Sequence, residues 1–162
     1  MIDNSNSEPL RFKLINLKKQ KDQRALFTLM NAYMLDKMGI QKPMSQSLFQ
    51  QTLTGLRTQC NYIGILVYKG ETAVGLANCF INFSTFKGLP LINIHDFIVL
   101  PEAREKGVGR FLLQSIKEIA RQKGCCKVNL EVREDNLIAQ GLYQTEGFNA
   151  CCPNMYFWEF LL

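Results

Sequence analysis

The chain has 162 residues, 47% of them hydrophobic and 20% charged, which is enough apolar material for one real core and excludes both a disordered tail and a multidomain machine. Nineteen Lys plus Arg against fourteen Asp plus Glu leave +5, a mild excess that suits an anionic small molecule, nucleic acid or plain solubility without choosing among them. Apolar runs break well short of the roughly 20 residues a membrane helix needs, and the opening Met1 to Glu8 is polar rather than signal-like. The expectation is one cytoplasmic domain over residues 1–162, with no membrane partner.

Residues 10–17 predict a strand. The following stretch carries Leu26, Leu29, Met30 and Tyr33 at helical spacing, and Gly39 and Pro43 close that helix. A second helix is predicted from Ser45 to Leu56. Residues 61–69 and 72–83 flank Gly70-Glu71 as a hairpin rich in Val, Ile, Tyr and Phe. After a loop at 84–90, Leu91 to Leu100 reads as another strand, ended by Pro101.

The period then changes. Val108, Phe111, Leu112, Ile116, Ile119 and Ala120 recur at helical intervals, with Gly124 as the stop. Lys127 to Arg133 predicts a strand, Asn136 to Glu146 a last helix ended by Gly147, and Met155 to Leu162 a closing aromatic strand. The order β-α-α-β-β-β-α-β-α-β describes a mixed α/β layer structure.

Six cysteines include the adjacent pairs Cys125-Cys126 and Cys151-Cys152. Adjacent pairs suit neither a disulfide framework nor one tetrahedral zinc, and the chain has one histidine and no CxxC, so reduced, mostly buried thiols and no metal are expected.

The chemistry lies where the strand ending at Leu100 passes through Pro101 to Lys106 into a helix opening at Gly107. Such a unit aims unpaired backbone N–H groups and the positive end of a helix dipole at one spot, which suits a phosphate. Gly107 and Gly109 remove Cβ atoms, and Arg104, Lys106 and Arg110 add charge; glycines and basic residues also open ordinary helices. A Walker string GxxxxGK[ST] is absent. A dinucleotide GxGxxG would place its third glycine at Leu112, where close helix packing requires a small residue, although Glu131 stands where a ribose-binding acid would.

The remaining pattern is R-x-x-G-x-G, Arg104 to Gly109. With the preceding Phe97-Ile98-Val99-Leu100-Pro101 and the later Asn136-x-x-Ala139-x-x-Leu142-Tyr143-x-x-x-Gly147-Phe148, it resembles the GNAT-family N-acetyltransferases over about residues 60 to 150. The resemblance implies a mixed sheet flanked by helices on both faces and acetyl-CoA as cosubstrate. It further implies a primary amine of a small molecule, amino acid or peptide as acceptor, attacking directly in a ternary complex. The pyrophosphate would lie on residues Arg104, Glu105, Lys106, Gly107, Val108, Gly109 and Arg110. Glu105 departs from the family's usual glycine, and its carboxylate must point away from the phosphates.

The resemblance also implies a strand that splays from its neighbour near residues 98–100, so that main-chain groups of Phe97, Ile98 and Val99 meet the pantetheine arm or polarise the thioester carbonyl. Tyr143 matches the tyrosine that protonates the departing thiolate; otherwise it is a helix-face aromatic. Asn136 caps its helix, reaches the cofactor, or does both.

An alkylammonium with a pKa near 10 must lose its proton before it attacks. His95, the one histidine, stands where the family often has its base and is the candidate acceptor of that proton, against the alternative of a strand histidine satisfied by a neighbour. Asp96, by strand alternation, takes the opposite face unless a bulge intervenes, and is the reserve candidate. Within the family the strand looks most like the diamine and small-amine enzymes, but His95-Asp96 replaces their Glu-Asp pair, and a basic chain warns against assuming polyamines. Two other functions stay open: a non-catalytic acyl-CoA-binding module on the same fold and a nicotinamide-binding oxidoreductase. No nucleic-acid partner is expected, since no basic stripe with interleaved aromatics occurs. The aromatic last segment offers an edge for a homodimer.

Overall fold

The computed structural model describes residues 8–162, so the polar opening lies almost wholly outside the described residues. It divides into two compact units, one ending at Glu131 and the other Val132–Leu162.

The first unit is built on one sheet. Its strands β1 (Leu10–Leu14), β2 (Tyr62–Lys69), β3 (Thr72–Ser84), β4 (Leu89–Val99) and β5 (Val128–Leu130) lie side by side in sequence order. All neighbours are antiparallel except β4 and β5, which are parallel. Three helices accompany it: α1 (Gln20–Leu35), α2 (Gln46–Thr58) and α3 (Val108–Gln122). The hairpin turns at Gly70, whose φ of +56° is the left-handed conformation that glycine adopts without a Cβ penalty.

Side-chain alternation assigns the helices to opposite faces. A Cβ on Gly75 would sit 3.2 Å from Val108 of α3, whereas Asn78, three residues along β3, donates to the Met30 sulfur of α1. The mixed sheet therefore carries helices on both faces, which is why β2 is buried from Ile63 to Tyr68 without alternation. Leu112, Leu113 and Ile116 of α3 and Leu26 and Leu29 of α1 are fully buried against it. Gly124, at φ +66°, ends α3's C-terminal turn as expected. Ser45 caps α2, its side chain accepting from the Leu48 N–H.

The second unit contains α4 (Leu137–Thr145). Asn136 is its N-cap, accepting from the Ala139 N–H at 3.2 Å, and Gly147 at φ +86° follows its end.

Three expectations need correction. Residues 149–162 form no strand, and Tyr156, Phe157, Trp158 and Phe160 are exposed; strand propensity measures fit to a pleated, half-buried surface and makes no ladder without a partner. Strand β1 stops at Leu14 rather than residue 17, because the Asn16 N–H turns to the Asp22 carboxylate and its side chain accepts from Lys18. The cysteines are all free but mostly not buried: Cys79 alone is, while Cys60, Cys151 and Cys152 are exposed. No helix among the described residues is long and apolar enough to cross a membrane.

Asp22 fastens α1 to β1. It is fully buried and accepts from the Lys13 ammonium and the Asn16 N–H. Burial pushes its carboxyl up, but the Lys13 and Asn16 hydrogen bonds and the nearby positive charge outweigh burial and hold it below the usual range. A lowered folded-state value contributes stability that is complete above the unfolded carboxylate range, near pH 4, and is lost as pH falls through the folded value. Asp22→Ala should cost about 2 kcal/mol in denaturant unfolding at neutral pH, because it strands the Asn16 N–H and removes the charge partner of a half-exposed lysine. That deficit should shrink below about pH 4; an unchanged unfolding midpoint at neutral pH would contradict this role.

Candidate active site

Strand β4 carries one residue too many. Asp96 pairs with Asn78 of β3, but the next pair is Ile94 with Cys79, so His95 has no counterpart. A bulge of this kind re-aims side chains, and here it turns consecutive residues to one face. The His95 ring stands edge-on to Phe80, centroids 5.8 Å apart, and Asp96 accepts from the Asn78 amide at 2.9 Å, on the sheet face that carries α1. The expectation that alternation sends Asp96 to the opposite face is thereby corrected.

Behind the bulge lies a buried polar chain. The Tyr62 hydroxyl donates to Asn78 Oδ1 at 2.8 Å, and Asn78, only 3% exposed, passes the connection to Asp96. Burial, with the Asp96 charge beside it, pushes the Cys79 thiol up to about 12 and raises the Tyr62 phenol as well, so both stay neutral near pH 7. In front of the bulge, His95 lines an open cavity of about 570 Å3 between α2 and the β3–β4 surface. Gly55 and Gln59 form the helix side of this cavity, and Asn82 and Asn93 stand with Phe80 on the strand side.

On its other edge β4 is paired with β5 only through Ile94, and β5 ends at Leu130. The β4–β5 pairing therefore ends before residues 98–100 are reached. The Leu100 N–H donates to Val74 of β3, so by antiparallel alternation the N–H groups of Phe97 and Val99 face away from β3, toward the splayed edge. The Ile98 side chain is core, which leaves only its main chain for a ligand.

The loop that follows is braced from within. Arg104 donates through Nε to the Val99 carbonyl at 3.0 Å and through its terminal nitrogen to the Asp36 carboxylate at 2.7 Å. Asp36 caps the C-terminus of α1. Burial raises its carboxyl, but hydrogen bonds from Arg104 and the Met38 N–H, with the Arg104 charge, hold it below the usual range. Lys106 donates to the Glu102 carbonyl at 2.7 Å. Arg104 and Lys106, both expected to face a phosphate, are thus hydrogen-bonded within the protein.

What the loop presents is main chain. Gly107 is the N-cap of α3 at φ +79°, with no side-chain cap, and a Cβ there would meet nothing within 4 Å. The first intrahelical bond runs from the Phe111 N–H to the Gly107 carbonyl, so the N–H groups of Val108 and Gly109 have no acceptor inside the helix. Val108 itself is core. An uncapped helix start with open space ahead of a glycine fits a pyrophosphate, which supplies acceptor oxygens and a charge that complements the dipole.

Asn136 and Tyr143 belong to the second unit. Asn136 acts as a cap, and the Tyr143 ring packs 5.9 Å from Phe148 within that unit. Sequence reasoning missed Asp36, whose partner Arg104 is 68 residues away, and the carboxamides of the cavity. An asparagine in a strand carries no local signal of what it faces.

Residues 26–148 match the acetyltransferase (GNAT) family; the chain belongs to that family, whose cosubstrate is acetyl-CoA. It is 34% identical over 79 residues to the thialysine N-epsilon-acetyltransferase of Bos taurus, covering 49% of this chain and 46% of that protein. It is 25% identical over 119 residues to the aminoglycoside N(6')-acetyltransferase type 1 of Acinetobacter baumannii, covering 71% of this chain and 82% of that one. The chain thus spans about half the length of the thialysine enzymes it matches. The fold is similar to AAC(6')-Iy in complex with the bisubstrate analog CoA-S-monomethyl-acetylneamine, with a TM-score of 0.75 at 16% identity over 95% of this chain and 99% of that one.

Glu105 holds a φ of +61°, a left-handed conformation that costs a residue with a Cβ roughly 1–2 kcal/mol. Glu105→Gly should accordingly raise stability by about 1 kcal/mol, seen as a higher melting temperature. A lower one would show that the Glu105 side chain itself holds the loop.

Proposed function

We propose that the chain is an acetyl-CoA-dependent N-acetyltransferase that brings a primary amine and the thioester together in one ternary complex. The observation that carries this reading is the uncapped, glycine-opened start of α3 within the R-x-x-G-x-G loop, in a chain that belongs to an acetyltransferase family. Acetyl-CoA supplies an acetyl group activated as a thioester, with a thiolate as leaving group.

The residues divide the work. The N–H groups of Val108 and Gly109, with the α3 dipole, hold the pyrophosphate, and Arg110, Lys106 and Arg104 set the local positive field. Glu105 contributes its backbone path to this cradle. The main chain of Phe97, Ile98 and Val99 orients the pantetheine arm along the splayed edge of β4, where the Val99 N–H polarises the thioester carbonyl.

His95, in the cavity wall, takes the ammonium proton of the acceptor, and its imidazole returns that proton to solvent through the cavity mouth. Asp96, fixed by Asn78 on the same sheet face, steadies the positive charge that His95 acquires. Tyr143 gives its phenol proton to the departing sulfur, and Asn136 sets the start of the helix that carries it. The six free cysteines support a reducing, cytoplasmic setting. The exposed aromatics of residues 155–162 support a homodimer.

Thermal melts with acetyl-CoA, CoA and NADH test the cofactor. At a hundredfold the dissociation constant a ligand stabilises by about 2.7 kcal/mol, so both CoA forms should raise the melting temperature and Gly109→Trp should abolish the shift. No CoA shift, or a larger one with NADH, would remove the foundation of the reading. In turnover, Tyr143→Phe should slow kcat by about 10- to 100-fold without abolishing it, because a thiolate leaves fairly well unaided; an unchanged kcat would deny Tyr143 that role.

A further inference from the structure

The acetyltransferase reading leaves the acceptor unnamed, and the cavity in front of His95 narrows it. Gln59, Asn61, Asn82 and Asn93 put four carboxamides around this space, with Thr52 beside them, and among the described residues no Asp, Glu, Lys or Arg lines it. Two carboxylates stand nearby without lining it. Asp96 is bonded to Asn78, and exposed Glu131 accepts from Asn93 Nδ2 at 3.4 Å.

A carboxamide offers both a donor and an acceptor, which matches hydroxyl and amide groups and leaves an ammonium without counter-charge. An acceptor with several amines would find no carboxylate in the wall to pair with its further charges. One amine is matched, because it is deprotonated to react.

Gly55 is a second, independent observation. It lies in the interior of α2, where glycine is a poorer helix former than alanine, and a Cβ there would meet nothing within 4 Å. The protein's own packing does not require this glycine. Gly55 lines the cavity, so the missing Cβ leaves room for a bound molecule to approach the α2 backbone.

We propose that the acceptor is a small amine with a single cationic centre on a neutral, hydroxyl-bearing body, the amino-sugar class, and that Gly55 sets how closely it lies on α2. The carboxamides bond the hydroxyls, Phe80 offers an apolar ring to the sugar face, and His95 takes the one proton. This rests on the acetyltransferase reading. A volume of about 570 Å3 accommodates such a molecule with bridging water.

The test measures CoA release by the full chain with acetyl-CoA and four probes: D-glucosamine, lysine, spermidine and kanamycin. Glucosamine should show a kcat/KM at least about tenfold above the others, the margin set by one unmatched charge. Gly55→Ala should raise the melting temperature while raising the KM for glucosamine several-fold, with the KM for acetyl-CoA unchanged. Asn82→Asp should move the glucosamine-to-spermidine ratio toward spermidine, which a merely structural effect would not do. The proposal is overturned if spermidine, kanamycin or lysine matches glucosamine, or if Gly55→Ala leaves the glucosamine KM unchanged. Turnover of none of the four probes while acetyl-CoA still stabilises the chain overturns it too. Absence of acetyl-CoA binding is a different failure, that of the acetyltransferase reading itself.

Discussion

Side chains in an unbroken antiparallel ladder alternate between faces, so a regular β4 would hold His95 and Asp96 back to back with the sheet between them. The extra residue opposite the Asn78–Cys79 step removes that separation. From this slip follow the aim of His95 into the cavity, the contact of Asp96 with Asn78, and the change in what β4 does along its length. Before the bulge its edge is paired with β5; beyond it the ladder has ended and main-chain groups are turned outward. One strand thereby forms a wall of the cavity, the end of the β4–β5 ladder and the entry to the glycine loop.

The electrostatic arrangement is less direct than the charge count implies. Arg104 and Lys106 are turned into the loop, to the Val99 and Glu102 carbonyls and the Asp36 carboxylate. In the proposed function the attraction for phosphate comes chiefly from oriented peptide dipoles at the start of α3, which are fixed by the fold and need no side-chain ordering. The acceptor side is the reverse case, a wall of neutral amides. A positive field for the anionic cosubstrate therefore would not have to repel an acceptor amine that, as proposed, gives up its proton at His95.

Features decided within a few residues were legible in the sequence. The apolar stripe of α3, its stop at Gly124, the Gly70 turn, the Asn136 cap and the glycine loop each depend on local spacing, and each stands where expected. What could not be read depends on distant partners. The bulge exists only relative to β3. The Arg104 brace needs Asp36 from the end of α1, and the cavity gathers amides from the connection between α2 and β2, from β3 and from β4. The closing aromatic segment shows the converse error: its composition is strongly strand-like, yet residues 149–162 form no strand, since a strand is defined by the neighbour it pairs with.

Glu105 ties these threads together. A glycine there would be free of strain, and the left-handed glutamate persists because its surroundings leave it no other path. Upstream, the Pro101–Ala103 turn closes on the Leu100 carbonyl, and Arg104 is held at Val99 and Asp36. Downstream, Lys106 is tied back to Glu102 before Gly107 turns into α3. These contacts all lie within the loop and its neighbours, so in the proposed function a phosphate would meet a loop that needs little ordering. In the proposed function such a loop would obtain its affinity from preorganisation, with the intrinsic cost of the glutamate conformation borne in the folded state rather than at each encounter with the cosubstrate.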